Sequence, residues 1–285
     1  MPTRPLTGTP FRPAAEIPPL GHEEAYRMGL VQAERFITLL ESLGGNDWSR
    51  PTACALWDVR EMAAHVAGAA EGYLALKNFA RQFFSRELKK YAARGLKGID
   101  ATNQLQVDDR VNKTPAEIIA ELKIIAPQAF LNRYKLPWLL YKMPSYLPGL
   151  GFVRVGYLTD LIYTRDMWMH TLDICRAVGR EMFLTPEHDG RMTALVMRDL
   201  YRGKGHHLKG KNIVYRLTGA AGGSWSIDPQ PAEADPVVLE MEALDFHLLA
   251  SGRLPVQEAL ARQLVHIHGD NTVGQTALEI TRVSY

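Results

Sequence analysis

The fold of this chain is decided by the stretch Trp48-Ser-Arg-Pro-Thr-Ala-Cys-Ala-Leu-Trp-Asp-Val-Arg-Glu-Met-Ala-Ala-His65. Its histidine lies among small apolar residues, which allow another helix to approach closely. A second segment, Asp166-Met-Trp-Met-His-Thr-Leu-Asp173, carries three polar groups at positions i, i+4 and i+7 of an apolar, helix-compatible run. That spacing places all three groups on one helical face.

Together the two segments predict a metal site. An imidazole from His65, with a carboxylate and an imidazole one turn apart at Asp166 and His170, would supply a ligand set of two histidines and one carboxylate. Such a set leaves coordination positions open for chemistry. The alternative is structural, because a lone histidine on an apolar helix face is usually a core residue, and an aspartate four residues before a histidine is often only an ion pair.

The first segment resembles the N-terminal signature of the mycothiol-dependent maleylpyruvate isomerase family, a branch of the DinB-like metalloproteins. In that family a tryptophan, a Pro-Thr pair, a second tryptophan, Val-Arg and a metal-binding histidine recur in this order. The corresponding residues here are Trp48, Pro51, Thr52, Trp57, Val59, Arg60 and His65.

The second segment resembles the Glu-x-x-x-His-x-x-Asp motif on the last bundle helix of the same family. Asp166 takes the place of the glutamate, and His170 and Asp173 match the other two positions. The resemblance implies that His65, Asp166 and His170 bind the metal. Asp173 lies nearly two turns from Asp166, so it is expected to accept a hydrogen bond behind the ligands or to contact a cofactor.

The resemblance also implies an activity. We expect an enzyme that is maleylpyruvate isomerase-like or thiol transferase-like, with a divalent metal and a low-molecular-weight thiol such as mycothiol. The ligand types make zinc the default metal, with nickel, iron or manganese as the alternatives. A coordinated thiol becomes a thiolate at neutral pH, so the protein needs no cysteine of its own. The alternative is a non-catalytic binding protein for an apolar or lipid-like ligand, with a structural or vestigial metal site.

The length of 285 residues suggests about two domains. Patterning and resemblance together predict a Pro-rich arm over residues 1–21, a DinB-like metal-binding four-helix bundle over residues 22–182 and a sterol-carrier-like α+β domain over residues 183–285. The fold class is therefore α followed by α/β in two domains.

Charge and cysteine content restrict the partners and the compartment. The net charge is +2, which gives no electrostatic case for nucleic acid. Cys54 and Cys175 form neither a disulfide framework nor a CxxC pair, so we expect a reducing, cytoplasmic compartment. We expect no membrane span, a small-molecule substrate and thiol as partners, and a monomer or homodimer.

Apolar periodicity and capping signals predict four helices in the first domain. Asp58 with Glu61, and Thr114-Pro115 with Glu117, have the pattern of helix starts, and Gly179 marks a helix end. The predicted helices cover residues 22–43, 58 to about 84, 114–134 and 155–178.

In the second domain, the pattern predicts a helix over residues 186–201, two strands of a hairpin over 212–218 and 223–228, and a strand over 236–242. Short helices over residues 243–250 and 255–261 precede a last strand over 263–268. This order is typical of an α+β domain.

Several further residues are candidates for a functional role. Residues 136–152 form an aromatic, Pro-broken segment, either a flap packed on the bundle or a lid over a substrate site. Arg60, five residues before His65, is expected to face away from it. The other candidates are surface histidines, His206, His207, His266 and His268, and arginines that could receive an acidic substrate, Arg216, Arg253 and Arg262.

Overall fold

The computed structural model describes residues 11–147, 151–227 and 235–285. They form two compact units, one of residues 20–182 with residue 285, the other of residues 183–284 with residues 11–19. The helices are α1 (His22–Glu41), α2 (Val59–Glu71), α3 (Leu76–Phe84), α4 (Lys89–Ala92), α5 (Ile99–Asp108), α6 (Pro115–Tyr134), α7 (Trp138–Lys142), α8 (Val155–Tyr157), α9 (Tyr163–Val178), α10 (Arg191–Lys204), α11 (Ala243–Ser251), α12 (Val256–Ala261) and α13 (Asn271–Glu279). The strands are β1 (Arg12–Pro13), β2 (Pro144–Leu147), β3 (Gly151–Arg154), β4 (Ile213–Thr218), β5 (Gly223–Ser226), β6 (Val237–Glu242) and β7 (Val265–His268).

The first unit is built on four long helical segments. Helix α1 packs on α6, α6 on α2, α2 on α9 and α9 on α1, so the four enclose one core. A π-helical turn, Leu158–Ile162, joins α8 to α9 and makes residues 155–178 one helical segment. Fully buried side chains from these helices fill the core, among them Phe36, Leu40, Val59, Met62, Ile118, Leu122 and Ile174.

The predicted helix starts and ends are confirmed at three places. The Asp58 carboxylate accepts the Glu61 amide proton at 2.8 Å, and Glu61 accepts the Asp58 amide proton at 3.0 Å. Thr114 and Glu117 form the same reciprocal cap at α6, with Pro115 at the first helical position. Gly179 ends α9 with φ 69°, a conformation that glycine adopts without steric cost.

The prediction of one helix from Asp58 to about Phe84 was wrong, because α2 ends at Glu71 and α3 begins at Leu76. Gly72 lies at the break, and a Cβ atom there would approach Gln82 Oε1 to 2.7 Å. This close approach lets α3 turn back against the end of α2. The apolar periodicity on either side of Gly72 concealed the turn.

Residues 136–147 and 151–154 are not the irregular segment that the sequence suggested. They form α7 and an antiparallel hairpin of β2 and β3. Tyr141 attaches this region to the bundle, since its hydroxyl donates to Asp160 Oδ2 at 2.6 Å within the π-helical turn. Trp138 and Phe152 are 72% and 82% exposed, so the expectation of a flap packed on the bundle fails for these side chains.

A buried arginine connects α2, α5 and α6. Arg110 is 2% exposed, and its guanidinium donates to Glu121 at 2.7 and 3.0 Å and to Glu71 at 2.9 Å. Lys113 donates to the same Glu121 at 2.8 Å. Burial opposes the charge of Arg110, but the two glutamates outweigh it and raise the pKa of the guanidinium.

The second unit is a five-stranded sheet with helices, in the strand order β1-β5-β4-β6-β7. The predicted hairpin is confirmed as antiparallel β4 and β5, and β6 runs parallel to β4. Two elements were not predicted. Residues 12–13 add β1 in parallel beside β5, and α13 follows Asp270, whose carboxylate caps the amides of Thr272 and Val273. Throughout the described ranges, we find no helix with the length and hydropathy that a membrane crossing requires.

The Arg110 network gives a prediction about the stability of the first unit. Substitution of Arg110 by Met would remove the buried cation that pairs with two glutamates. We expect a loss of about 3–5 kcal/mol in the free energy of unfolding, because the two carboxylates would lose their shared partner. Chemical denaturation followed by circular dichroism measures this loss. The matched control is Arg27→Met, because Arg27 forms an exposed i,i+4 pair with Glu23 at 3.6 Å, and its loss should change stability by at most about 0.5 kcal/mol. Equal effects of the two substitutions would contradict the prediction.

Candidate functional site

The three residues that the two sequence segments singled out lie together in the bundle core. His65 Nε2 is 3.3 Å from Asp166 Oδ2, and His170 Nε2 is 3.3 Å from Asp166 Oδ1. The ligating atoms of the three side chains are all within 4.8 Å of one another. Helix α2 supplies the first histidine, and one turn of α9 supplies the other two groups.

A chain of amide side chains fixes the orientation of His65. Gln82 Nε2 donates to the backbone carbonyl of Gly68 at 2.9 Å, and Gln82 Oε1 accepts from Gln106 Nε2 at 2.9 Å. Gln106 Oε1 therefore faces His65 Nδ1, at 2.8 Å. Because the Gly68 carbonyl can only accept, the direction of the whole chain is set, and Nδ1 of His65 must carry a proton.

Asp173 performs the same task for His170. Its Oδ2 lies 3.1 Å from His170 Nδ1, and its side chain is fully buried. A carboxylate accepts a proton at that distance, so Nδ1 of His170 is the donor and Nε2 is directed at Asp166. Both imidazoles thus present the same nitrogen to one carboxylate.

This arrangement requires a positive charge. If both imidazoles were neutral, each Nε2 lone pair would face a carboxylate oxygen, and the lone pairs would repel. Burial opposes the charge on His170, but Asp166 and Asp173 outweigh it and raise the pKa of this imidazole to about 9. Burial likewise opposes the charge on Asp166, but the two histidines beside it hold the pKa of its carboxyl well below the usual range.

One side of the cluster is open. The side chains of His65 and His170 are 4% and 7% exposed, whereas that of Asp166 is 26% exposed. Trp57 covers His65, with its ring stacked 4.8 Å from the imidazole. The two imidazoles are therefore shielded from solvent, whereas the Asp166 carboxylate is accessible to it.

Comparison with known proteins agrees with this architecture. The family model of the mycothiol maleylpyruvate isomerase N-terminal domain matches residues 31–175. This chain belongs to that family. The match spans α2 and nearly all of α9, and so includes all three clustered side chains.

Two crystal structures are similar to this one, that of the mycothiol-dependent maleylpyruvate isomerase and that of a histidine-to-alanine mutant of the same enzyme. Each has a TM-score of 0.53 and covers 82% of this chain and 90% of that chain, at 14% and 13% identity. At such identities the likeness shows a shared fold. No protein with a curated description matches the sequence.

The family signature before His65 has a structural explanation in this chain. Thr52 Oγ1 donates to the Trp57 carbonyl at 2.7 Å, and the backbone amide of Trp57 donates to Cys54, so the loop closes into a tight turn. The Trp57 indole donates to Gln104 at 3.1 Å. These bonds hold the indole against His65, while Trp48 is buried in the bundle core.

Gly68 permits the contact between His65 and Gln106. A Cβ atom at this position would approach Gln106 Cβ to 2.3 Å and its Cα to 3.0 Å. The small residues around His65 predicted that another helix comes close, and the structure shows that this helix is α5. The roles of Gln106 and Gln82 were not predicted, because a glutamine in a sequence carries no signal of the partner that it will meet.

The remaining candidates have contacts of their own. Arg60 donates to the Arg110 carbonyl at 3.1 Å, so it faces away from His65 as expected. Burial raises the pKa of the Cys175 thiol to about 11. In the second unit, Arg216 pairs with Glu240 and Arg262 with Glu258, His206, His207 and His266 are exposed, and His268 lies 3.6 Å from Glu240.

The close approach at Gly68 leads to a prediction about stability. Gly68→Val would drive α2 and α5 apart, and such overpacking costs about 1–3 kcal/mol, more than the few tenths that valine gains over glycine within a helix. Thermal denaturation measures the loss. Gly45→Val is the control, because a Cβ atom at Gly45 meets nothing within 4 Å, and we expect a change within about 0.5 kcal/mol. A Gly68 variant as stable as the control would show that α5 adjusts freely.

Proposed function

We propose that this protein is a metal-dependent enzyme that uses a low-molecular-weight thiol, mycothiol or an equivalent, to isomerise an unsaturated acid or to transfer the thiol. The observation that carries the proposal is the convergence of two imidazole Nε2 atoms and one carboxylate at 3.3 Å. Membership of the family supports the thiol, because the solved relatives are described as mycothiol-dependent maleylpyruvate isomerases.

The donor set fits a divalent metal. Histidines that bind metals almost always donate their second ring N–H to a carboxylate, a carbonyl or water, and here Gln106 and Asp173 accept from the two Nδ1 atoms. His65, Asp166 and His170 would hold the ion, with zinc as the default metal for these ligand types and nickel, iron or manganese as the alternatives. The aspartate in place of the family's glutamate reaches both histidines in this chain.

When bound, the metal would act as a Lewis acid that lowers the pKa of a bound thiol. The protein's own groups supply orientation and shielding. Gln106 and Asp173 keep both Nε2 lone pairs directed into the site, and Trp57 shields His65 from water. The open side at Asp166 is where thiol and substrate would enter.

We further propose that the first unit is a DinB-like bundle, that the second unit is sterol-carrier-like and that the protein is cytoplasmic. The four-helix core with histidines on facing helices supports a DinB-like bundle for the first unit, and the mixed sheet with α11 and α13 on it supports a sterol-carrier-like second unit. Neither Cys54 nor Cys175 lies in a disulfide, which supports a reducing compartment such as the cytoplasm.

Metal content tests the assigned ligands. We expect close to one zinc ion per chain by elemental analysis, and loss of that ion in His170→Ala. Asp166→Glu should retain the ion. Asp166→Ala should weaken metal binding strongly, because the remaining imidazoles lack an anionic donor. The loss should exceed the about 10- to 100-fold that follows removal of a group hydrogen-bonded to a ligand. His266→Ala is the control, since His266 is exposed on β7. Full occupancy in the His170 variant would show that the ligands are wrongly assigned.

Thiol binding tests the reaction class. We expect mycothiol to raise the thermal midpoint of the zinc-loaded protein and to leave that of the metal-free protein unchanged, because the thiolate forms only at the metal. A thermal-shift titration of the wild type and of His170→Ala measures this difference. Equal shifts with and without zinc would favour the alternative, a carrier of apolar ligands whose metal site is structural.

A further inference from the structure

Arg133 lies inside an aromatic cage in the first unit. Its residue is 3% exposed, and the centre of its guanidinium is 4.3 Å from the ring of Tyr163, 4.6 Å from that of Tyr73 and 4.7 Å from that of Phe130. Ring faces attract cations, so the cage holds the side chain in place. The aromatic rings of the cage do not supply hydrogen-bond acceptors for all the N–H groups of the guanidinium.

Two nitrogens of Arg133 have no hydrogen-bond acceptor in the part of the chain that the structure describes. Among the residues that the structure describes, no acceptor bonds to Arg133 Nε or Nη1, although both atoms are inaccessible to solvent. Arg110 shows the usual solution in the same bundle, with two glutamates around its guanidinium. An unpaired buried charge is costly, and burial lowers the pKa of Arg133 despite the opposing influence of Tyr73, Tyr163 and Asp166.

The cage adjoins the cluster of His65, Asp166 and His170. Tyr163 precedes Asp166 by three residues on α9, and such residues are neighbours on a helix surface. Asp166 is also close enough to Arg133 to influence its charge. Tyr73, Tyr163 and Asp166 are each partly exposed, so the buried fork lies beneath side chains that reach solvent.

We propose that Arg133 binds a carboxylate of the acid substrate, with its unpartnered N–H groups as donors and the rings of Tyr73 and Tyr163 as walls. The planar fork of arginine matches a carboxylate in a way that a lysine does not. The inference rests on the proposed function in one respect, since it supposes that the other end of the acid reaches the metal. The substrate carboxylate would supply hydrogen-bond acceptors for Arg133 Nε and Nη1, for which the described residues supply none.

The test is the binding of maleate, a small unsaturated dicarboxylate, measured by isothermal titration calorimetry on the zinc-loaded and the metal-free full-length protein. We expect both forms of the wild type to bind maleate, and Arg133→Met to weaken binding by about 30-fold or more, the loss that follows removal of one partner of a buried charge pair. Arg133→Lys should restore part of the affinity. The uncharged diamide of maleic acid should not bind, and binding of inorganic phosphate as tight as that of maleate would overturn the carboxylate assignment.

The thermal stability of the variants distinguishes an arginine that binds substrate from one that stabilises the fold. Because Arg133→Met removes an unpaired buried charge, its thermal midpoint should be no lower than that of the wild type, whereas Arg110→Met should melt earlier. A large loss of stability in Arg133→Met, together with maleate binding unchanged in Arg133→Lys, would assign Arg133 to the core and overturn the proposal.

The outcomes also distinguish the two levels of inference. If zinc and mycothiol bind as proposed but maleate affinity is the same in Arg133→Met and the wild type, the inference about Arg133 fails alone. If no metal binds but maleate still binds in an Arg133-dependent way, the carboxylate site stands and the metal-dependent function fails.

Discussion

The carboxylate of Asp166 between two buried imidazoles is the interaction on which the rest of the bundle core depends. A carboxylate that is mostly buried against two imidazoles needs compensating charge, and here that charge comes from His170 as a cation or from a metal ion in its place. Either solution requires that both Nε2 atoms remain directed at the carboxylate. The residues around the two imidazoles hold the Nε2 atoms of α2 and α9 in position.

Each imidazole is oriented by a group behind it, and the two groups are of different kinds. Asp173 lies on the same helix as His170 and adds a negative charge, which favours a cation. Gln106 comes from α5 and is neutral, and its direction is set through Gln82 by a backbone carbonyl of α2. His65 therefore has one fixed tautomer without an added charge, as a neutral metal ligand requires.

The two buried arginines of the bundle differ in what surrounds them. Arg110 has two glutamates, binds three helices together and is explained by stability alone. Arg133 has aromatic rings in place of carboxylates, and within the described ranges two of its donors have no acceptor. It lies beside the cluster of His65, Asp166 and His170. Proteins rarely keep unsatisfied buried polar groups, and functional or strained sites are where such departures are expected. A carboxylate site at Arg133, as proposed, would explain why these two buried donors have no acceptor among the described residues.

The sequence by itself determined the local features, because these depend on spacing within one element. The i, i+4, i+7 pattern of Asp166, His170 and Asp173 defined one helix face, the caps at Asp58 and Thr114 defined two helix starts, and the alternation of the second unit gave most of its strands. The tertiary structure alone decided which partners those faces meet. Gln106, Gln82 and Arg133 lie in other helices, and the turn at Gly72 brings α3 back to α2, so their contacts depend on packing between segments far apart in the chain. No periodicity records such packing, because side chains that are distant in sequence become neighbours only when the helices assemble.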